Sequence, residues 1–221
     1  MVLLPRHLDL IRAGADRMGV SVDAPTVERL RRYLTLLLVW NERLRLTGER
    51  DVEVLVGKHV VDCLAPCMEL PASGRIVDIG AGAGFPGLVL GCVRPDLSLL
   101  LLESRRRPTS FLREAIRTIP LAHATVSQQR AEAAKDDAAL AGSAAVVTGR
   151  AVGLERLLSW ASPLVAPDGV VVAMQTPSVD VHRGERLAAS AGLAVRRVRD
   201  YRLPGGETRR LLVFVPRVAS A

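Results

Sequence analysis

The chain has 221 residues, 49% of them apolar, with a formal net charge of +7 from 30 Lys and Arg against 23 Asp and Glu. Such a length fits one large domain, or one domain with an appendage, and the apolar share suffices for a core. No apolar run is long enough to span a bilayer and the first residues lack a signal peptide's apolar centre, so the sequence reads as a cytoplasmic protein rather than a membrane or secreted one.

Residues 6–18 place Leu8, Ile11, Ala15 and Met18 at helical spacing. Asp23 or Thr26 caps a second helix running to about Leu46, with Leu30, Tyr33, Leu34, Leu37 and Leu38 inward. Asp51 caps a third, whose apolar positions are Val52, Leu55, Val56, Val60 and Leu64. These helices form an N-terminal helical extension over residues 1–70, and Pro71-Ala72-Ser73-Gly74 leads into a second segment, residues 71–221.

There the pattern alternates. Ile76, Val77 and Ile79 read as a short buried strand, with four glycines following within eight residues and Pro86 placed to open a helix. Further strands are expected over Leu97–Glu103, Ala122–Ser127, Ala144–Thr148 and Gly169–Met174, with helices around Phe111–Ile116, Leu154–Leu164 and Val181–Ala191. Leu193–Arg202 and Arg209–Val215, joined by Pro204-Gly205-Gly206-Glu207, read as an antiparallel hairpin. The prediction is an α/β fold, a doubly wound, mostly parallel seven-stranded sheet with an antiparallel edge, preceded by the helical extension.

The glycine segment is the strand–turn–helix unit that lays a cofactor across the carboxyl end of a parallel sheet. Gly82-x-Gly84-x-x-Gly87 also matches the dinucleotide fingerprint, with Glu103 at the spacing of a ribose-binding acid. Two features move the reading to S-adenosylmethionine (SAM). Asp78 precedes the glycines, where an acid can face the cofactor's amino-acid end. Glu103 ends the second strand, where a carboxylate can take both ribose hydroxyls.

Other chemistry is sparse. There is no Ser/His/Asp arrangement, no P-loop and no metal-ligand spacing, and no metal is expected. Cys63, Cys67 and Cys92 read as thiols of a reducing compartment. Of His7, His59, His123 and His182, only His59 stands out, because Lys58, His59 and Asp62 can share a helix face at i, i+3 and i+4.

The following segments occur in order: Trp40-Asn41, Leu46-Thr47, Arg50-Asp51, Lys58-His59-x-x-Asp62, Asp78-x-Gly80-x-Gly82-x-Gly84-x-Pro86-Gly87, Arg94-Pro95, Leu102-Glu103-Ser104, Phe111-Leu112 and Gly149-Arg150-Ala151. Together they resemble the bacterial small-subunit (16S) ribosomal RNA guanine-N-7 methyltransferases, the glucose-inhibited division protein B family. The resemblance implies a class I SAM methyltransferase fold. It puts the methionine part at Asp78, Gly80, Gly82, Gly84 and Phe85, the ribose at Glu103 with Ser104, the adenine at Ala131-Glu132, and Arg150 at the mouth between cofactor and substrate. Arg150 and His59 are the candidates for a part in methyl transfer. Some positions depart from the family: Arg45 precedes Leu46-Thr47, Cys63 follows Asp62, Pro108 follows Arg106-Arg107, Gly149 precedes Arg150, and Gln175-Thr176 stands in place of Lys-Gly.

The implied partner is ribosomal RNA or the small ribosomal subunit, bound by a monomer, and the charge excess agrees with an acidic partner. Candidate phosphate contacts are Lys58, Arg105, Arg106, Arg107, Arg209 and Arg210. Two other readings stay open at this point. One is a diverged SAM enzyme acting on a small molecule or another substrate, and the other is an RNA-binding or ribosome-associated protein that keeps the fold without the activity.

Overall fold

The structure, a computed structural model, describes residues 2–134 and 136–217. The first and last residues of the two predicted segments (1 and 218–221) and one residue of the alanine-rich stretch (135) lie outside the described residues.

The sheet is assembled from β1 (Arg75–Ile79), β2 (Ser98–Leu102), β3 (Ala124–Ser127), β4 (Ala144–Gly149), β5 (Val165–Gln175), β6 (Leu193–Arg202) and β7 (Thr208–Pro216). Their order is β3-β2-β1-β4-β5-β7-β6. The first five are parallel, and β7 runs antiparallel between β5 and β6. Strand order therefore reverses between β1 and β4, the switch point at whose carboxyl end such sheets open a crevice. The central strands are runs of branched apolar residues because both faces are covered. Ile76, Leu99, Leu101, Val146 and Val172 pack on one side, and Val77, Ile79, Leu100, Val147 and Val171 on the other.

The second side is closed by α6 (Ala131–Ala134), α7 (Leu154–Ala161) and α8 (Val181–Ser190). The first side is closed by α4 (Gly87–Val93), α5 (Arg106–Thr118) and the helices that precede the sheet. Of the latter, α1 (Pro5–Met18) buries Ile11, Ala15 and Met18. Asp23 caps α2 (Ala24–Leu44) by accepting from the Thr26 N–H at 2.8 Å, and α2 buries Leu30, Tyr33, Leu34, Leu37 and Leu38. One apolar core runs through these helices and this face of the sheet. Tyr33 reaches under the glycine turn, its hydroxyl donating to the Ala83 carbonyl at 2.7 Å.

The third predicted helix is one continuous run with three geometries. Asp51 caps α3 (Val52–Val54), accepting from the Glu53 and Val54 N–H groups. A π-helical turn follows over Leu55–Val60, then a 3₁₀ stretch over Asp62–Glu69. Elsewhere the predicted elements shift by a few residues. Pro86 caps α4 instead of opening its first turn, after a cis Phe85–Pro86 bond. β5 begins at Val165, so α7 ends earlier than its apolar spacing suggested. No helix among the described residues is long and apolar enough to cross a membrane.

Candidate active site

The turn after β1 holds Gly80, Gly82 and Gly84 at φ of +73°, +54° and +95°, a region closed to most side chains. Its backbone is tied to β2, since the Gly80 and Ala81 N–H groups both donate to the Leu102 carbonyl. A Cβ on Gly82 would clash with nothing, its nearest heavy atoms lying at 3.7 and 3.8 Å. Gly87 has no such room, since a Cβ would press on Leu101 and lie 2.6 Å from Asp78 Oδ2.

Asp78 is fully buried. Its Oδ2 accepts from the Gly87 N–H at 2.9 Å, and its Oδ1 has no hydrogen-bond partner. Burial raises its pKa to about 7, against the hydrogen bond from Gly87 and with a smaller push from Glu103. Glu103 is 4% exposed. It accepts from the Gly82 N–H and the Arg105 N–H, each at 2.9 Å, and pairs with the Arg105 guanidinium at 3.1 Å. Burial raises its pKa, but the Arg105 contacts and Gly82 outweigh burial, and the net shift is downward. A cavity of about 190 Å³ is walled by Ile79, Gly80, Leu102, Glu103, Ser104, Gln129, Arg130, Ala131, Glu132, Arg156 and Trp160. The structure thus brings Gly80, Glu103, Ser104, Ala131 and Glu132 to one place.

A second cavity, about 300 Å³, lies at the carboxyl ends of β4 and β5. Asp62, Arg150, Ala151, Val152, Met174, Gln175, Thr176 and Arg209 line it. Val152 also sits against Gly80, so the two cavities adjoin. Arg150 follows β4 and is mostly buried. It pairs with Asp62 Oδ2 at 3.3 Å, donates to the Lys58 carbonyl and the Cys63 thiol, and stands 5.9 Å from the centre of the Phe85 ring. On that ring His59 stacks at 5.8 Å and 26°. Burial, then the Arg150 charge, lowers the His59 pKa to about 4, so its imidazole is neutral at neutral pH. Asp62 is 3% exposed. Burial raises its pKa, opposed by Arg150, the Tyr201 hydroxyl and Arg209. The Tyr201 hydroxyl donates to Asp62 Oδ1 at 2.5 Å, and burial followed by the Asp62 charge pushes its pKa up.

The predicted cations separate into two groups. Lys58 pairs with Glu207 at 2.9 Å, Arg210 with Asp200 at 2.6 Å, Arg209 lies 4.0 Å from Asp62, and Arg105 rests on Glu103. Arg106 and Arg107 stand exposed at the start of α5, with no ion-pair partner among the described residues. Gln129, Arg130, Arg156 and Trp160 at the first cavity, and Tyr201 at the second, were missed by the sequence reading. Trp160, in a chain with only two Trp, is the one signal that could have led there.

The chemistry of these residues is compatible with the amino-acid and ribose parts of SAM. Asp78 presents a buried acceptor without a partner beside the turn, Glu103 an ionised carboxylate, and Gly82 a backbone open to close approach.

A family model described as rRNA small subunit methyltransferase G matches residues 26–211. The chain is 41% identical over 166 residues to the ribosomal RNA small subunit methyltransferase G of Halorhodospira halophila, covering 75% of this chain and 77% of that one. It is 38% identical over 218 residues to the protein of the same name from Deinococcus radiodurans, covering 96% of this chain and 86% of that one. Among solved structures, a precorrin-6y C5,15-methyltransferase from Geobacter metallireducens shares the fold at a TM-score of 0.56 and 15% identity, over 71% of this chain and 87% of that one.

Proposed function

The chain belongs to the rRNA small subunit methyltransferase G family, and from that premise we propose that it transfers a methyl group from SAM to N-7 of a guanine in small-subunit ribosomal RNA. The observation that carries this reading is the convergence of Gly80, Glu103 and Ala131-Glu132 on one cavity at the turn after β1, with Asp78 bonded to Gly87 where that turn meets α4, next to a second cavity that holds Arg150.

Asp78, Gly80, Gly82 and Phe85 would hold the methionine end, Glu103 and Ser104 the ribose, and Ala131-Glu132 the adenine. When bound, SAM supplies an electrophilic methyl group on a sulfonium. Guanine N-7 carries a free lone pair on the base edge and needs no deprotonation. A general base is therefore not called for, and alignment carries the catalysis, an effect worth ~7–11 kcal/mol in favourable cases. The methylated base becomes cationic, so the mouth must not add uncompensated positive charge. His59 is neutral, and the Asp62 carboxylate offsets part of the charge of Arg150 and Arg209. The guanine would enter the 300 Å³ cavity beside Arg150, while Arg106 and Arg107 would grip phosphates away from the reacting atom.

Tritium-labelled SAM incubated with small subunits, and separately with naked 16S RNA, tests this. Digestion and mass mapping should find 7-methylguanosine at one position. Absence of label from both substrates, or label on a different atom or base, overturns the proposal.

A further inference from the structure

Asp62 is the most enclosed charge of the second cavity, and its partners come from two distant parts of the chain, the loop after β4 and the β6–β7 hairpin. Its Oδ2 faces Arg150, which follows β4, at 3.3 Å. Its Oδ1 is held by the hydroxyl of Tyr201, on β6, at 2.5 Å. Arg209 stands opposite Tyr201 in the β6–β7 register and approaches Oδ2 at 4.0 Å. Tyr201 is a neutral donor. It fixes one oxygen without drawing the other from Arg150, as a second close cation would.

Arg150 in turn has little freedom. Asp62 and the Lys58 carbonyl engage one terminal nitrogen, the Cys63 thiol the other, and the guanidinium carbon lies 5.9 Å from the centre of the Phe85 ring. The Asp62 carboxylate is the only charged member of that set. Its rotation is fixed by the Tyr201 hydroxyl, because a carboxylate held at one oxygen cannot turn the other away. We infer that Tyr201 is a positioning residue for methyl transfer, acting through the buried Asp62 carboxylate to hold the Arg150 guanidinium against Phe85. The inference rests on the reading that Arg150 acts at the cofactor–substrate mouth. It assigns to the antiparallel hairpin, outside the glycine motif and its loops, a part in building the site.

The test is a double-mutant cycle on methyl transfer to isolated small subunits, using wild type, Tyr201→Phe, Arg150→Ala and the double variant. Circular dichroism and Tm confirm that each is folded. Tyr201→Phe should lower kcat about tenfold while KM for SAM and the affinity for S-adenosylhomocysteine stay within about twofold of wild type. The double variant should be no slower than Arg150→Ala alone, because Tyr201 works only through Arg150. A merely structural tyrosine would instead lower Tm and leave kcat unchanged, or give losses that multiply in the double variant, and either result overturns the inference while leaving the role of Arg150 intact. An Arg150→Ala enzyme of wild-type rate overturns both the inference and the reading beneath it. Should Arg150→Ala not fold, Arg150→Lys completes the cycle, since it keeps the charge and loses the planar fork.

Discussion

Asp78→Asn separates the cost of a buried carboxylate from its use. In the free protein Asp78 is fully buried with one oxygen unpartnered, and burial lifts its pKa from 3.8 to about 7. Between those values the folded protein keeps the proton and the unfolded chain has lost it. Stability therefore falls as pH rises through this window, at up to ~1.4 kcal/mol per pH unit, and about 4 kcal/mol has gone above pH 7. Asn keeps an acceptor for the Gly87 N–H and carries no charge, but places a buried amide donor without a partner, at ~1–3 kcal/mol. The variant should thus be more stable than wild type by about 1–3 kcal/mol at pH 8, and less stable at pH 4. His59, lowered to about 4, contributes the opposite trend between pH 4 and 6.5: its protonation favours the unfolded chain, so stability rises with pH there. That contribution is common to both proteins and cancels in their difference. Urea denaturation across pH 4–8 measures the difference, and calorimetry with S-adenosylhomocysteine measures the function. The affinity of Asp78→Asn should fall at least about tenfold at pH 8, where the variant is the more stable protein. A stability difference independent of pH, or an unchanged affinity, refutes the reasoning.

Gly82 in the turn and Gly87 at the start of α4 should respond differently. Gly82→Val meets no protein atom closer than 3.7 Å at its Cβ, so the protein should fold, with Tm lowered by the strain of φ +54°, and affinity for S-adenosylhomocysteine should vanish in calorimetry. Gly87→Ala drives a methyl onto Leu101 and Asp78 and should cost ~1–3 kcal/mol of stability in denaturant titrations; a neutral result would show that α4 shifts freely. Arg106→Ser with Arg107→Ser should weaken binding to unrelated RNAs about equally and flatten the salt dependence by about 0.7 per phosphate lost, with cofactor affinity unchanged. Adding Arg105→Ser should alter cofactor affinity as well, because Arg105 rests on Glu103.

Much of the fold was legible because it depends on local rules. β1 and β2 are short apolar runs, the turn between β1 and α4 is marked by glycines at positive φ, and the hairpin by Pro204-Gly205-Gly206. The positions of Asp78 and Glu103 were legible for the same reason, since Asp78 lies in β1 and Glu103 directly follows β2. The positions that escaped are those set by long-range packing. Asp62 and Tyr201 are 139 residues apart and meet only because β7 inserts antiparallel beside β5. Arg156 and Trp160 reach the first cavity through the rotation of α7, which the burial of Leu157, Leu158 and Ala161 decides. The phosphate candidates were read from charge alone, and charge does not reveal partners. Glu207 and Asp200 engage Lys58 and Arg210, leaving Arg106 and Arg107 as the freer pair.

The helical run before the sheet shows how packing re-aims a sequence motif. On an ideal α-helix, Lys58, His59 and Asp62 would line one face. Here the π turn over Leu55–Val60 passes into a 3₁₀ stretch, and the three side chains take two directions. Lys58 and Asp62 turn to the β6–β7 hairpin, toward Glu207 and Tyr201, while His59 turns onto Phe85 of the glycine turn. An extra residue in a helical turn is a common device at functional sites. In this chain it lets one short segment contact the cofactor turn and the hairpin together. The helices before the sheet therefore do more than cover an apolar face. They join the loops after β1 and β4 to the antiparallel edge, and Arg150 stands where the three meet.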